Sequence, residues 1–463
     1  MSVLTRNLRV LSRRVLATGL AACLSLSALP AGTARAQNVS LIRDAETEEL
    51  LRDYATPIFR AAGLAPSVVR VHILNDDRLN AFVAGGQRIF INTGMLMDAK
   101  TPNEVVGVLA HETGHIAGGH LSRMSRQLDQ ASTTAIIGML LGAAAVVGGG
   151  LAGQGGVARS GQGVMLGGQS LAMRNLLSYR RAQESAADQA ALKYLTATRQ
   201  SAQGMITLFE ELAMQSMASA RYADPYVLSH PMPLERVRNL ENAARKSPYF
   251  NTKDPASLVK RHKLVQAKLM GFLKSPQRVY QKYPTSDTSE PARYARAIAA
   301  FRSGDLRTAL SEIDPLIRAD PKNPYFWELK GQALFEAGRA SQAVEPLKRA
   351  VALAPNSGLI RIMLAQALLG AGGAGNLDQA MNQLLKARRT ENGMPLVHSQ
   401  LAIAYARKGN IPMAELETAE SAVLSGDLDL AKQKAKRAQS SFKRGSPQWI
   451  RANDILNIEP PRE

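Results

Sequence analysis

With 463 residues, 45% hydrophobic and 21% charged, the chain has an ordinary globular composition and room for two or three domains. Its formal charge of +19 would suit nucleic acid, anionic lipid or acidic protein. No basic run is interleaved with aromatics and no nucleic-acid motif occurs, so nucleic acid is excluded as a partner, and lipid surfaces or proteins remain.

Residues 1–36 read as a secretory signal peptide. Four arginines precede the apolar stretch Val15 to Leu29, and Ala34-Arg35-Ala36 before Gln37 is a small-x-small site, so cleavage is expected after Ala36. Removing Arg6, Arg9, Arg13, Arg14 and Arg35 with the leader leaves +14 of the +19. Leu20-Ala21-Ala22-Cys23 also fits a lipobox, which makes a lipid anchor at Cys23 the alternative, although the apolar run continues past that residue. Cys23 is the single cysteine of the chain, so a mature form would have no disulfide, thiolate metal site or cysteine nucleophile. The bacterial periplasm is the expected compartment.

Residues 41–63 have the pattern of an amphipathic helix closed by Gly63 and Pro66. Val68 to Leu74 reads as a strand, and Leu79 to Ile91 as two short strands around Gly85-Gly86, which together predict a small antiparallel sheet. Thr101-Pro102-Asn103-Glu104 combines a capping box with proline at the first helical position. The helix it opens has Val105, Val106, Leu109 and Ile116 as its buried stripe. Ala131 to Met173 is apolar and rich in Gly and Ala, with Arg159 its one charge. We expect residues 131–175 to form a lid or hairpin over the cleft, with membrane contact within 133–177 as the alternative. Helical patterning returns from Leu176 to Leu195 and from Ala202 to Met217, and Ser229-His230-Pro231 forms a loop before a helix from Leu234. Residues 37–250 thus make one domain, and 251–288 a polar connector.

Residues 289–463 are repetitive. Ala309 and Ala343, Pro321 and Pro355, and Ala380 and Ala414 are each 34 residues apart, with a three-residue insertion around Gly372-Gly373. Trp327, Gly331, Leu334, Ala343, Ala350 and Pro355 fall where tetratricopeptide repeats place those residue types. About four helical hairpins should stack into an α-solenoid with a concave binding surface, closed by a degenerate unit from Leu424 to Ala438. The fold class is therefore α+β, mostly α.

The chemistry is concentrated in His111-Glu112-Thr113-Gly114-His115. Two histidines four apart on a helix share one face, where both can bind a single metal ion, and Glu112 between them can take a proton from water there. Glu184 and Asp188, also four apart, would alone read as a solvated acidic face, and beside this motif they read as a third ligand and an acceptor for the outer N–H of a ligand histidine. The expected cofactor is one Zn²⁺ per chain, held by His111, His115 and Glu184, with water as the fourth partner. His120 falls one residue short of a metzincin's third histidine, a 100° error on a helix, and reads as supporting or structural. His72, His262 and His398 read as surface or packing histidines, and Arg388 and Arg389 as solvated faces.

These motifs resemble the gluzincin metallopeptidases. Asn80-Ala81-Phe82 with Gly85-Gly86, Asn92-Thr93-Gly94, Glu104 to His115, Glu184 to Asp188 and Ser229-His230-Pro231 ending at Arg236 narrow the resemblance to the HtpX and CAAX-prenyl-endopeptidase-type family. A signal, one such domain and a repeat array together resemble periplasmic proteases that act in outer-membrane protein assembly. The resemblance implies that His230 either stabilises the tetrahedral intermediate or occupies the open metal position, and that Arg236 supports an oxyanion or the substrate chain. It also implies that the strand from Asn80 and Ala81 is the edge to which an extended substrate adds, although a hairpin of that composition needs no substrate. Clients would be outer-membrane β-barrel proteins or their assembly machinery, docked by the repeats. The reading is a zinc endopeptidase with a chaperone-like role. The alternatives are a chaperone or adaptor in which proteolysis is secondary, and a peptidase with membrane spans inside 133–177.

Overall fold

A computed structural model describes residues 40–124, 178–218, 230–231 and 233–459. The expected leader with Cys23, the apolar segment 131–175 and the membrane alternative within 133–177 lie outside them. Among the described residues no helix is long and apolar enough to cross a membrane.

Four strands, β1 (Leu41–Ile42), β2 (Arg70–Leu74), β3 (Ala81–Ala84) and β4 (Arg88–Asn92), form one sheet in the order β1-β2-β4-β3. The sheet is mixed where an antiparallel one was expected. Gly85 and Gly86, both at positive φ (58° and 92°), turn β3 back on β4 as a tight hairpin. β2 pairs with the other side of β4 and runs parallel to it, Ile73 opposite Ile91. Ile73, Ala81, Ile89 and Ile91 are buried in a core shared with α1 (Ala45–Ala61).

After α2 (Thr93–Asp98) comes the helix that carries the histidines, α3 (Pro102–Ala117). Thr101 accepts from the Glu104 amide at 3.4 Å, while the Glu104 carboxylate accepts from the Lys100 amide at 2.8 Å, so the capping box closes one residue earlier than expected. Every residue from Pro102 to Gly114 is buried. The helix is enclosed by α4, whose described part covers 178–197, by α5 (Gln203–Ala218) and by the core below, while α6 (Leu234–Ala244) packs on α5.

The segment 251–288, expected to be a polar connector, holds two helices, α7 (Ala256–Leu273) and α8 (Pro276–Lys282). Val265 and Leu269 of α7 belong to the core around the sheet and α3, while Leu264 joins Tyr294, Ile298 and Phe326 of the repeats. Its polarity misled because several polar residues face inward. His262 Nε2 lies 3.1 Å from the Ala99 carbonyl, to which Gln266 also donates at 2.7 Å, so both serve the chain end of α2.

Five helical hairpins follow: α9 and α10 (Glu290–Arg302, Leu306–Ala319), α11 and α12 (Pro324–Glu336, Ala340–Leu353), α13 and α14 (Gly358–Ala371, Ala374–Ala387), α15 and α16 (Pro395–Arg407, Ile411–Leu424), and α17 and α18 (Leu428–Ser441, Pro447–Leu456). The last pair is the closing unit. Ala309, Ala343, Ala380 and Ala414 are all buried, as close helix packing requires. Arg388 is not a solvated face: it donates to Glu417 at 2.8 Å, and Glu417 also holds His398 at 2.7 Å. Arg388 is read wrongly from sequence because its partner lies 29 residues away on another helix.

Candidate metal centre

α3 presents His111 and His115 one turn apart, and α4 presents Glu184 and Asp188 one turn apart. Two backbones must come close for these pairs to meet, and the sequence provides for it at Gly114. A Cβ there would lie 2.9 Å from the Ala187 carbonyl oxygen and 3.0 Å from Ala187 Cα, so α3 and α4 touch backbone to backbone. Gly107 does the same against α5, where a Cβ would be 2.4 Å from Met205 Cβ. A glycine inside a helix weakens it by about 1 kcal/mol relative to alanine, which was the available signal that packing required it.

His111, His115, Glu184 and His230 each bring a ligand atom to one point, all within 4.8 Å of one another. His111 Nε2 is 3.0 Å from His115 Nε2, 3.4 Å from His230 Nδ1 and 3.3 Å from Glu184 Oε2. Glu184 lies 3.5 Å from His115 Nε2 and 3.0 Å from His230 Nδ1. Ligands at 2.0–2.1 Å around a tetrahedral zinc ion stand about 3.3 Å apart, so this donor set has the size a zinc ion needs. The side chains of His111, Glu184 and His230 are buried, and His115 is the most accessible at 11%.

The charges tell the same story. Burial alone would lower the His111 pKa, but the carboxylates of Asp188 and Glu184 outweigh it and raise it to about 9. Burial and the adjacent His111 charge push His115 down to about 2. The two imidazole nitrogens face one another at 3.0 Å, where a cation between them would satisfy both. Burial works against ionisation of Glu184, yet its bonds to His111 and His230 hold it well below the usual carboxylate range.

Each motif histidine has an outer partner. His111 Nδ1 is 3.0 Å from Asp188 Oδ1, and His115 Nδ1 is 2.9 Å from His120 Nδ1. His120 is itself tied down by Gln183, which donates to its carbonyl at 3.2 Å. Arg236, on α6, donates from Nε and Nη2 to the two Asp188 oxygens at 2.7 and 2.8 Å. Its Nη1 donates to the Pro231 carbonyl at 2.8 Å and lies 3.1 Å from Glu184. These contacts tie Arg236 to the carboxylate pair Glu184/Asp188 and to the loop bearing His230. Glu112 is fully buried, its Oε1 3.5 Å from His230 Nε2. β3 is an edge strand of the sheet and packs against α3, and Asn80 continues its ladder by accepting from the Asn92 amide at 2.9 Å.

Residues 42–244 match the family described as peptidase family M48, and 294–358 match a tetratricopeptide repeat family. The chain therefore carries a family M48 metallopeptidase domain followed by tetratricopeptide repeats. It is 24% identical over 422 residues to the β-barrel assembly-enhancing protease of Escherichia coli (strain K12), covering 89% of this chain and 82% of that protein. The protein of the same description from Yersinia pestis is 22% identical over 391 residues, covering 82% of this chain and 76% of that one. Among solved structures, a thermophilic tetratricopeptide protein of Thermus thermophilus is 19% identical and aligns over 37% of this chain and 100% of that one, with a TM-score of 0.25.

Proposed function

We propose that the M48 domain is a zinc-dependent endopeptidase of the bacterial periplasm, acting in the quality control or assembly of outer-membrane proteins. The observation that carries the chemistry is the convergence of four donor side chains within 4.8 Å of one another beside a buried glutamate. The compartment and clients are supported by the leader and by the names of the bacterial relatives.

A zinc ion held by His111, His115 and Glu184 would supply polarisation of a substrate carbonyl and acidification of water at the site. Glu112 accepts the proton of the attacking water and returns it to the leaving amine. Asp188 and His120 hold the ligand imidazoles from behind, and Arg236 holds Asp188. β3 receives an extended substrate along Asn80 and Ala81. His230 stands where it can either stabilise the developing negative oxygen or close the fourth ligand position. The repeats bind client proteins or the assembly machinery.

Glu112→Gln should retain one zinc per chain by elemental analysis and lose cleavage of an unfolded model protein. Undiminished hydrolysis by that variant removes Glu112 from the proton transfer and the mechanism with it. The position of His230 against the ligands also favours a second reading, in which the resting chain acts mainly as a chaperone or adaptor. Full rescue of an envelope defect by the Glu112→Gln chain would support that reading over the first.

A further inference from the structure

A cavity of about 440 Å³ lies between the repeats, α7 and the first residues of α1, and contains none of the metal-site residues. Its repeat wall is built by the first helices of successive hairpins. Leu359, Ile362, Met363 and Gln366 of α13 fall at i, i+3, i+4 and i+7, one stripe of the helix. Glu328 and Gln332, at i and i+4 on α11, form the stripe beside it. Leu269 and Phe272 of α7 close the opposite side. The volume is within the range of small-ligand and side-chain pockets.

Charge is unevenly distributed around this space. Lys268 is the ammonium at its floor, 2.5 Å from Asp44, 3.4 Å from Glu46 and 3.6 Å from Glu328. Asp44 is further served by the amide and hydroxyl of Thr47, and Glu46 by the hydroxyl of Tyr294 at 2.8 Å. Arg43, also on the wall, is held by Glu48 and Glu391. Glu328 is left with a share of one ammonium, beyond hydrogen-bond range. It is only 6% exposed, and its Oε2 receives no hydrogen bond from the protein. A buried carboxylate oxygen without a hydrogen bond is destabilising, so a donor brought to Oε2 in the cavity would be favoured there.

We propose that this cavity is a docking site for a protein segment in which a lysine or arginine lies beside large apolar side chains. The basic group donates to Glu328, the apolar neighbours lie along Leu359, Met363 and Phe272, and the amides of Gln332 and Gln366 face the segment's backbone. Charge complementarity selects this occupant, since three carboxylates surround one lysine. Docking here needs neither metal nor peptide cleavage, so it stands or falls independently of the proposed hydrolysis.

The test uses the full chain carrying Glu112→Gln and a fluorescein-labelled, acetylated Gly-Leu-Lys-Leu-Gly peptide, compared with the same peptide bearing acetyl-lysine. Fluorescence anisotropy at about pH 8, where Glu328 is ionised, should give a Kd at least tenfold lower for the lysine peptide, and adding Glu328→Gln should abolish that preference. A second variant, Met363→Lys, places a competing ammonium on the stripe beside Glu328 and should also weaken the lysine peptide tenfold or more. Equal binding of the two peptides, a preference that survives Glu328→Gln in a variant with unchanged circular dichroism, or no peptide binding would overturn the proposal.

Discussion

His230 touches Glu184, His111 and Glu112 through one imidazole, with Nδ1 turned to the ligand atoms and Nε2 to the glutamate. A side chain so placed holds the fourth corner of the donor set, where the substrate's oxygen or attacking water would have to be. On the reading that this closed arrangement is the resting state, the apparent activity is reduced by the fraction of open molecules. His230→Ala should then raise the rate of cleavage of an unfolded model protein, by about tenfold if one molecule in ten is open. A fall in kcat at constant KM would instead assign His230 to stabilising the developing oxyanion and would end the self-inhibition reading. The pairs His111/His115 and Glu184/Asp188 were legible in the sequence because helix geometry is local: four residues fix a face. The partners of His120 and Arg236 were not, since one depends on the turn after α3 and the other on where α6 settles against α4.

Two glycines let α3 be surrounded. Gly107 faces Met205 and Gly114 faces Ala187, at distances no Cβ tolerates without movement of a neighbouring backbone. Gly114→Ala therefore has opposite local and tertiary effects: alanine favours the helix by about 1 kcal/mol, and the clash with Ala187 separates α3 from α4. The second effect should dominate, because the opposing atoms are backbone. We expect a net loss of about 1–3 kcal/mol in stability. We also expect weaker zinc binding, on the order of tenfold to a hundredfold by chelator competition, as Glu184 withdraws from the two histidines. Retention of wild-type zinc affinity would show that the helices need not touch for the site to form. The sequence made α3, the β3–β4 hairpin and the repeat period readable, since caps, turn glycines and a 34-residue spacing are local signals. It misdirected for α7, whose polar residues His262, Gln266 and Lys268 are turned inward against carbonyls and carboxylates. The direction of β2 relative to β4 was likewise hidden, because strand pairing across a crossover leaves no mark in either strand.

At the scale of the whole described unit, α7 and the buried cluster around Lys268 join the M48 domain to the repeats. Asp44 and Glu46 come from the start of α1, Lys268 from α7, Tyr294 from α9 and Glu328 from α11. Burial pushes the Glu328 carboxyl up to about 7 from an ordinary 4.5. Lys268 opposes that rise, and the charges of Asp44 and Glu46 add to it. Folded chains thus keep this proton to near pH 7, whereas unfolded chains lose it near pH 4.5. Between those values the unfolded state binds fewer protons, so the Glu328 contribution to stability falls as pH rises and levels off above about 7. The full effect is on the order of 3 kcal/mol. Glu46, also raised, slopes the same way, and Asp44, lowered by Lys268 and Thr47 against the effect of burial, slopes the other way at more acid pH. The diagnostic quantity is consequently the difference between wild type and Glu328→Gln. Denaturant melts at about pH 5 and about pH 7.5 should show the Glu328→Gln chain gaining stability relative to wild type at the higher pH, because an amide in that cavity never ionises. A difference that stays constant between the two pH values would mean that Glu328 is charged throughout, with Lys268 alone sufficient to hold the joint together.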